Sequence, residues 1–436
     1  MRCMETVKVA LFGLGTIGTG VAKILLQHQD RISRATGKKI ELVKVCDLDL
    51  TPRKDVKLTP GLMTDDAESL FADPNISVGI ELIGGIEPAR TIVLRLLENG
   101  KNVITANKAL LAQHGAELFD TARKYNRTIA FEAAVCGGIP ILNALSTALQ
   151  ANTLQSINAI VNGTSNYILS QMENGKVSYQ DAVVQAQELG YAEANPAMDV
   201  DGTDAVQKLA ILAQLGFGAV IDWQTISRIG IESVDALDFL YAKELGYRIK
   251  LLAVATQSEE GLELHVSPTL VKIDNPLSRV RDAFNAVQIV GDSVGPVFFQ
   301  GLGAGQLPTA SAVVGDLIDT VLGRAAITAG VLNLWGHNGP TIPIKSPQEF
   351  FGKAYLRLSV VDKPGVMHAI SGILGERDIS IASMIQHEPE HKGNDEHTVL
   401  FLTTHESREG DLLLAIRQLE ESSVVLGSIV RMRVQS

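Results

Sequence analysis

Residues 7–18 read VKVALFGLGTIG, and the rest of the fold follows from how they are parsed. Val7–Phe12 is a nearly continuous apolar run of strand length, as a buried strand requires. Gly13-Leu14-Gly15-Thr16-Ile17-Gly18 then matches G-x-G-x-x-G, and TGVAKILLQHQ continues it as a helix. In such a loop the first glycine permits a tight turn and the second lets a pyrophosphate reach the backbone. The third lets the helix pack on the strand, and the phosphates meet the helix's positive end. A glycine pattern alone is also found in plain strand–helix turns. The strand before it and the helix after it make dinucleotide binding the reading, with Gly13, Gly15, Thr16, Ile17 and Gly18 as the cofactor-binding candidates.

Outward from this loop, strands and helices alternate. IELVKVCD, VGIELIG, KNVITA and RTIAFEAA read as strands, and ARTIVLRLLENG and GAELFDTARKYN as helices. Alternation of this kind predicts a parallel, doubly wound α/β sheet with right-handed crossovers, a Rossmann domain over residues 1–135. A helix GDLIDTVLGRAAI, near 315–327, is expected to return to it, so that about 306–330 complete the domain. Asp47 ends the second strand, where a carboxylate accepts from a ribose 2′-OH and favours NAD. Arg53 and Lys54 follow closely and could meet a 2′-phosphate, so NAD and NADP both stay open.

After VCGGIPIL the pattern changes. Residues 136–305 mix longer helices with alternating segments such as LELHVSPTLV, which predicts an α+β catalytic and dimerisation domain. LWGHNGPTIPIKSPQEF marks a linker over 331–352. Residues 353–436 then run strand–helix–strand–strand–helix–strand, the βαββαβ order of a ferredoxin-like module.

Composition narrows the function classes. With 46% hydrophobic and 20% charged residues the chain reads as a soluble globular protein. A net charge of −11 argues against a nucleic-acid partner or an anionic membrane surface. No apolar run approaches membrane-spanning length. Three widely spaced cysteines, Cys3, Cys46 and Cys136, suit a reducing compartment, so a cytoplasmic location is expected.

Two lysines stand out. VITANKALLA places Lys108 at the carboxyl end of a strand, the ligand-binding edge of such sheets. A lysine at the positive end of a helix is locally unfavourable unless an anion offsets it; the bland alternative is a solvated lysine. MDVDGTDAVQK, residues 198–208, sets Asp199, Asp201 and Asp204 before an almost wholly apolar helix. Asp204 and Lys208 are i and i+4 and share one face. On most helices this would be a surface ion pair. Here the helix is apolar on nearly every side, so the pair is expected to face an interior site. A half-buried lysine flanked by carboxylates stays cationic and can donate a proton, and carboxylates such as Glu188 and Glu193 upstream can grip an ammonium. Together they suit hydride transfer to an aldehyde that carries an amino group.

GLGTIG, VITANKALLA, FEAAVCGGIPIL, VNGTSNYIL, ELGYAEANPAMDVDGTDAVQKLAIL and GAGQLPTASAVVGD occur in this order over the first 330 or so residues. With them the chain resembles homoserine dehydrogenases of the form with a C-terminal ACT regulatory domain. The resemblance implies reversible, NAD(P)-dependent reduction of aspartate 4-semialdehyde to homoserine, in threonine, methionine and isoleucine biosynthesis. It implies Lys208 as proton donor and Lys108 as the second active-site lysine. Glu193, Asp204 and Asp199 become substrate-binding acids, and Gly190 and Gly305 flank the cofactor. It also implies a monovalent, sodium-like cation held by Glu132 and by backbone oxygens of Val135, Gly137 and Ile139, where the residues alone suggest only a capped helix start near Pro140. The C-terminal module resembles an ACT domain, with Asp362, Pro364 and Gly365 in its strand–helix turn. Threonine is then the natural effector; a packing module that binds nothing is the alternative. A homodimer or homotetramer is expected.

Rival readings are another amino-acid oxidoreductase of similar fold and an inactive nucleotide-binding regulator. Cys136 as a thioester-forming nucleophile would need a neighbouring base, and no histidine lies near it in sequence. NGTSN reads as a turn lining the cleft rather than a glycosylation site. His387, His391 and His397 read as a solvated loop between strands rather than a metal site.

Overall fold

The computed structural model describes residues 4–51, 53–175, 177–332, 334–336, 342–386 and 397–435. The chain forms two compact units: Met1–Leu154 with Gln207–Thr225 and Val290–Ile342, and Gln155–Val206 with Ile226–Ile289 and Pro343–Ser436.

The first unit contains β1 (Thr6–Phe12), β2 (Lys39–Cys46), β3 (Met63–Thr64), β4 (Ile76–Glu81), β5 (Asn102–Thr105) and β6 (Ile129–Ala130). All pair in parallel, in the order β3-β2-β1-β4-β5-β6. This is the Rossmann order, and the switch between β1 and β4 opens the ligand crevice at their carboxyl ends. The strands are Val/Ile/Leu-rich because helices cover both faces. Val9, Leu11, Val78, Ile80 and Ile104 pack with Val21 and Leu25 of the first helix and with Ala310, Val313 and Leu317.

Residues 306–332 differ from expectation in outline. Helix Gln306–Val321 starts earlier than the sequence pattern suggests, at Gly305 (φ +124°), and tolerates Pro308 because the first turn needs no donor there. The chain then turns at Gly323 (φ +80°) before a second helix, Arg324–Leu332. The first of these helices lies tightly on helix Thr16–Gln27: a Cβ on Gly20 would sit 2.7 Å from the Gln306 carbonyl oxygen and 2.9 Å from Ala310. The strand expected at 127–134 shrinks to β6. Its continuation, Glu132–Ala134, is a 3₁₀ turn, since the Glu132 N–H donates to the Asp316 carboxylate (2.8 Å) rather than to a strand.

The remaining strands are β7 (Leu154–Ile160), β8 (Ser227–Arg228), β9 (Tyr247–Ser258), β10 (Gly261–Lys272), β11 (Phe284–Gly291), β12 (Gly295–Leu302), β13 (Phe351–Val361), β14 (Ile381–Gln386), β15 (His397–Thr404), β16 (Ser407–Arg408) and β17 (Val430–Val434). The second unit's sheet runs β11-β7-β9-β10-β17-β13-β15-β14. Its β17-β13-β15-β14 half carries helices Val366–Gly375 and Glu409–Glu420 over a Leu/Ile core. That is the ferredoxin-like arrangement of an ACT domain. His387 and His391 lie outside the described residues.

The ACT half is part of the same sheet as the middle segment. β10 pairs with β17 in parallel, Thr269 opposite Arg433 and Leu270 opposite Val434. Pro268 falls between this short ladder and the one β10 makes with β8 at His265 and Val266, so its missing N–H breaks neither. Asp238, fully buried, accepts from the Tyr355 hydroxyl (2.7 Å) and Arg357 Nε (2.9 Å) on β13.

Candidate active site

At the β1 turn, Gly13 has φ +95°, and a Cβ there would lie 2.7 Å from the Leu82 carbonyl oxygen. A Cβ on Gly18 would strike the Gly13 carbonyl oxygen, whereas one on Gly15 would meet nothing within 4 Å. Two glycines are thus needed for packing, and the third faces open space. Gly15 caps helix Thr16–Gln27 without a side-chain bond, so the N–H groups of the first turn face that space. A cleft of about 330 Å³ is lined by Gly15, Thr16, Thr19, Arg53, Lys54 and Gln306.

Asp47 also has a role within the protein. One of its oxygens accepts the Leu14 N–H (2.5 Å) and the other the Asp49 N–H (2.9 Å). The carboxylate therefore braces the glycine loop from behind. Arg53 reaches the same loop, donating from Nε to the Leu14 carbonyl (3.1 Å) and pairing with Asp49 (2.6 Å). A nucleotide phosphate fits this set of free N–H groups and cations.

Lys108 begins helix Lys108–Lys124, and its position is built from a chain the sequence reading missed. Glu81, fully buried at the end of β4, accepts from the Thr105 hydroxyl (2.6 Å) and the Ile83 N–H (2.8 Å). Thr105 in turn accepts the Asn107 N–H (3.0 Å). The Asn107 side chain caps the helix through the Leu110 N–H (3.1 Å) and donates to the Gly85 carbonyl (2.6 Å). The signal in sequence was a lone carboxylate ending an otherwise apolar strand.

Helix Thr203–Phe217 is as buried as its composition suggests. From Gly202 to Leu215 every residue is buried except Lys208, which keeps partial access. Asp204, only 6% exposed, lies one turn before it. The acids Asp199 and Asp204 are brought together by a residue that the sequence offered only as part of the NGTSN turn, of which residues 163–166 open a helix: Asn162 Nδ2 donates to Asp199 Oδ1 and to Asp204 Oδ2, each at 2.8 Å. Glu193 is exposed, in a segment held through its backbone oxygen by Gln187 Nε2 (3.2 Å). Gly190 turns that segment with φ +73°, and Gly305 opens its helix with φ +124°.

Near the expected cation, the Glu132 carboxylate accepts the N–H groups of Leu142 (3.0 Å) and Asn143 (2.6 Å), capping the short helix Ile141–Asn143. The Ile139 oxygen accepts from the Ile141 N–H (2.7 Å). Cys136, buried at φ +51°, makes the elbow between Val135 and Gly137. Asp316 and Asp319 share a cavity of about 610 Å³ with Glu132. Burial, with the charge of Asp319 added, pushes Glu132 up to about 7. Burial and the charge of Glu132 push Asp316 well above the usual carboxylate range.

Known proteins are similar to this chain along its length. The family model for homoserine dehydrogenase matches residues 140–318, that for its NAD-binding domain residues 13–132, and that for the ACT domain residues 354–421. A homoserine dehydrogenase of Pseudomonas aeruginosa is 41% identical, and the match covers 99% of each chain. This chain belongs to the homoserine dehydrogenase family. The crystal structure of a homoserine dehydrogenase from Thiobacillus denitrificans is similar over 100% of both chains, at 38% identity and a TM-score of 0.91. A hyperthermophilic archaeal homoserine dehydrogenase in complex with NADPH is similar over 73% of this chain and 98% of its own, at 27% identity and a TM-score of 0.61. Membership of the family makes the chain an NAD(P)-dependent oxidoreductase acting on a CH–OH group. Among the described residues no helix is long and apolar enough to cross a membrane.

Proposed function

We propose that the chain interconverts L-aspartate 4-semialdehyde and L-homoserine with NAD or NADP. One observation carries the residue assignment: on a buried helix the one side chain with partial access is that of Lys208, one turn from a buried carboxylate. When bound, the nicotinamide supplies the hydride or takes it. As the carbonyl oxygen gains charge, the Lys208 ammonium stabilises it more than the uncharged carbonyl, then passes it a proton. Asp204, Asp199 and Glu193 hold the substrate ammonium, and Lys108 supplies the second cation. Gly13, Gly15, Thr16, Ile17 and Gly18, with Gly190 and Gly305, hold the cofactor. Arg53 and Lys54 line the cleft beside the loop and are the cations that a 2′-phosphate would meet. The test follows nicotinamide absorbance with homoserine, using NAD and NADP in parallel, for the full chain and for Lys208→Ala. Near-normal turnover by the variant overturns the assignment of the proton donor.

A monovalent cation would be held by Glu132 and by the carbonyls of Val135, Gly137 and Ile139 as hard oxygen donors. Threonine is the effector of the ACT half. Because β17 shares a ladder with β10, removal of residues 353–436 would leave β10 as an open edge. Regulation is therefore tested on the full chain, by titrating threonine against turnover; no change in rate at saturating threonine refutes it.

A further inference from the structure

We propose that Asn162 is a positioning residue that sets the spacing of Asp199 and Asp204 for the substrate ammonium. The inference rests on the reading that these two acids bind substrate.

Two carboxylates brought this close repel each other. A lysine or arginine between them would remove the repulsion and would also neutralise the charge a substrate ammonium needs. A carboxamide avoids this. It carries two N–H donors on one nitrogen and no net charge. Asn162 spends one on each acid, at equal distances of 2.8 Å, so the two acceptor oxygens lie no further apart than twice that length.

The orientation of the amide is not free. Its oxygen accepts the Ser165 N–H at 2.7 Å, as the cap of helix Gly163–Gly175. A flipped amide would place a donor against that N–H and an acceptor against two acids. The capping bond therefore points the nitrogen at Asp199 and Asp204.

The next three residues fix the same segment. Gly163 lies where a Cβ would sit 2.8 Å from the Ala283 carbonyl oxygen, so the helix start can come no closer with any larger residue. The Thr164 hydroxyl donates to the Tyr191 carbonyl (2.7 Å), and the Ser165 hydroxyl donates to the Asp199 carbonyl (2.7 Å). Residues 162–165 thus tie down both the backbone and the carboxylates of the acid-bearing segment. Asn162 is 5% exposed, so water does not compete for these bonds.

The test separates positioning from capping. Asn162→Ser and Asn162→Asp both retain an oxygen that caps the helix; neither keeps the double donor. The expected result for Asn162→Ser is a rise of about tenfold or more in the KM for homoserine, with the KM for the cofactor unchanged, the loss usual for hydrogen bonds to charged groups. Asn162→Asp is expected to raise it at least as far, and to recover partly at lower pH as one of three crowded carboxylates takes a proton. Homoserine KM values that stay at the full-chain level in both variants, or that rise in step with cofactor KM, overturn the proposal. Asp204→Asn serves as the reference. If it raises homoserine KM while the Asn162 variants do not, only the positioning role fails. If it too leaves KM unchanged, the substrate-binding reading of the acids fails with it.

Discussion

Asp199 and Asp204 share a neutral donor, the Asn162 carboxamide, whereas Glu132 and Asp316 meet mainly backbone N–H groups and each other. Both are acid pairs at the edge of buried structure. In the first, side-chain donors spread the charge, and a lysine follows one turn along the helix from Asp204. In the second, burial outweighs the N–H bonds, and protons are drawn onto the carboxyl groups. The difference shows that acids close together are not held alike: a side-chain amide bridges one pair, and burial governs the other.

The widest break in this contrast is expected from Lys208→Ala. With the cation gone, kcat should fall by about 10²–10⁴-fold, measured by steady-state turnover of homoserine, while cofactor binding, measured by fluorescence titration, persists.

Matched amides on the two pairs sharpen the contrast. Asp204→Asn should raise the KM for homoserine by about tenfold, and Asp316→Asn should leave it unchanged. An equal rise in both would mean that the second pair also touches substrate.

A smaller effect separates the pairs by pH. With no cation beside it, burial pushes Glu132 up to about 7 in the fold against 4.5 when unperturbed. The folded state then holds a proton that the unfolded chain releases, so stability should fall as pH climbs from 4.5 towards 7. Glu132→Gln removes that decline, read as Tm against pH. If a cation sits there, sodium should raise the wild-type Tm over tetramethylammonium at equal ionic strength, and Glu132→Gln should abolish the difference.

Lys250 offers the mirror image. It is fully buried, donating to Asn166 Oδ1 (3.3 Å) and the Val280 carbonyl, and burial lowers it to about 8. The unfolded chain keeps its proton longer, so stability should rise between about pH 8 and 10.5. Lys250→Met should flatten that rise in denaturant titrations.

Much of the fold was legible because its signals are local. Val9–Phe12 is buried on both faces and so reads as a continuous apolar run, and the glycines at 13 and 18 are demanded by atoms within a few ångströms. The buried helix bearing Lys208 announced itself by having no polar face except one. Glu81, Thr105 and Asn162 were harder to find. Each acts through a partner tens of residues away, Glu81 with Thr105, Asn162 with Asp199 and Asp204, and no periodicity links such positions. Asp47 could be placed at the strand end, yet not aimed, because its direction depends on the Leu14 N–H across the sheet. The ACT half read as a separate module, since βαββαβ repeats its own pattern; that its last strand continues a neighbouring sheet leaves no trace in the short alternating segment Val430–Val434.

By itself the sequence determined the α/β class, the phosphate-binding turn, the βαββαβ module and the residue types of the chemistry. These depend on side-chain periodicity and backbone freedom, which are properties of neighbours along the chain. The tertiary structure alone decided that Asn162 bridges two acids, that Glu132 caps a helix start, and that β17 joins β10. Those are outcomes of which distant donor meets which acceptor once water is excluded, and that pairing exists only after the chain has closed on itself.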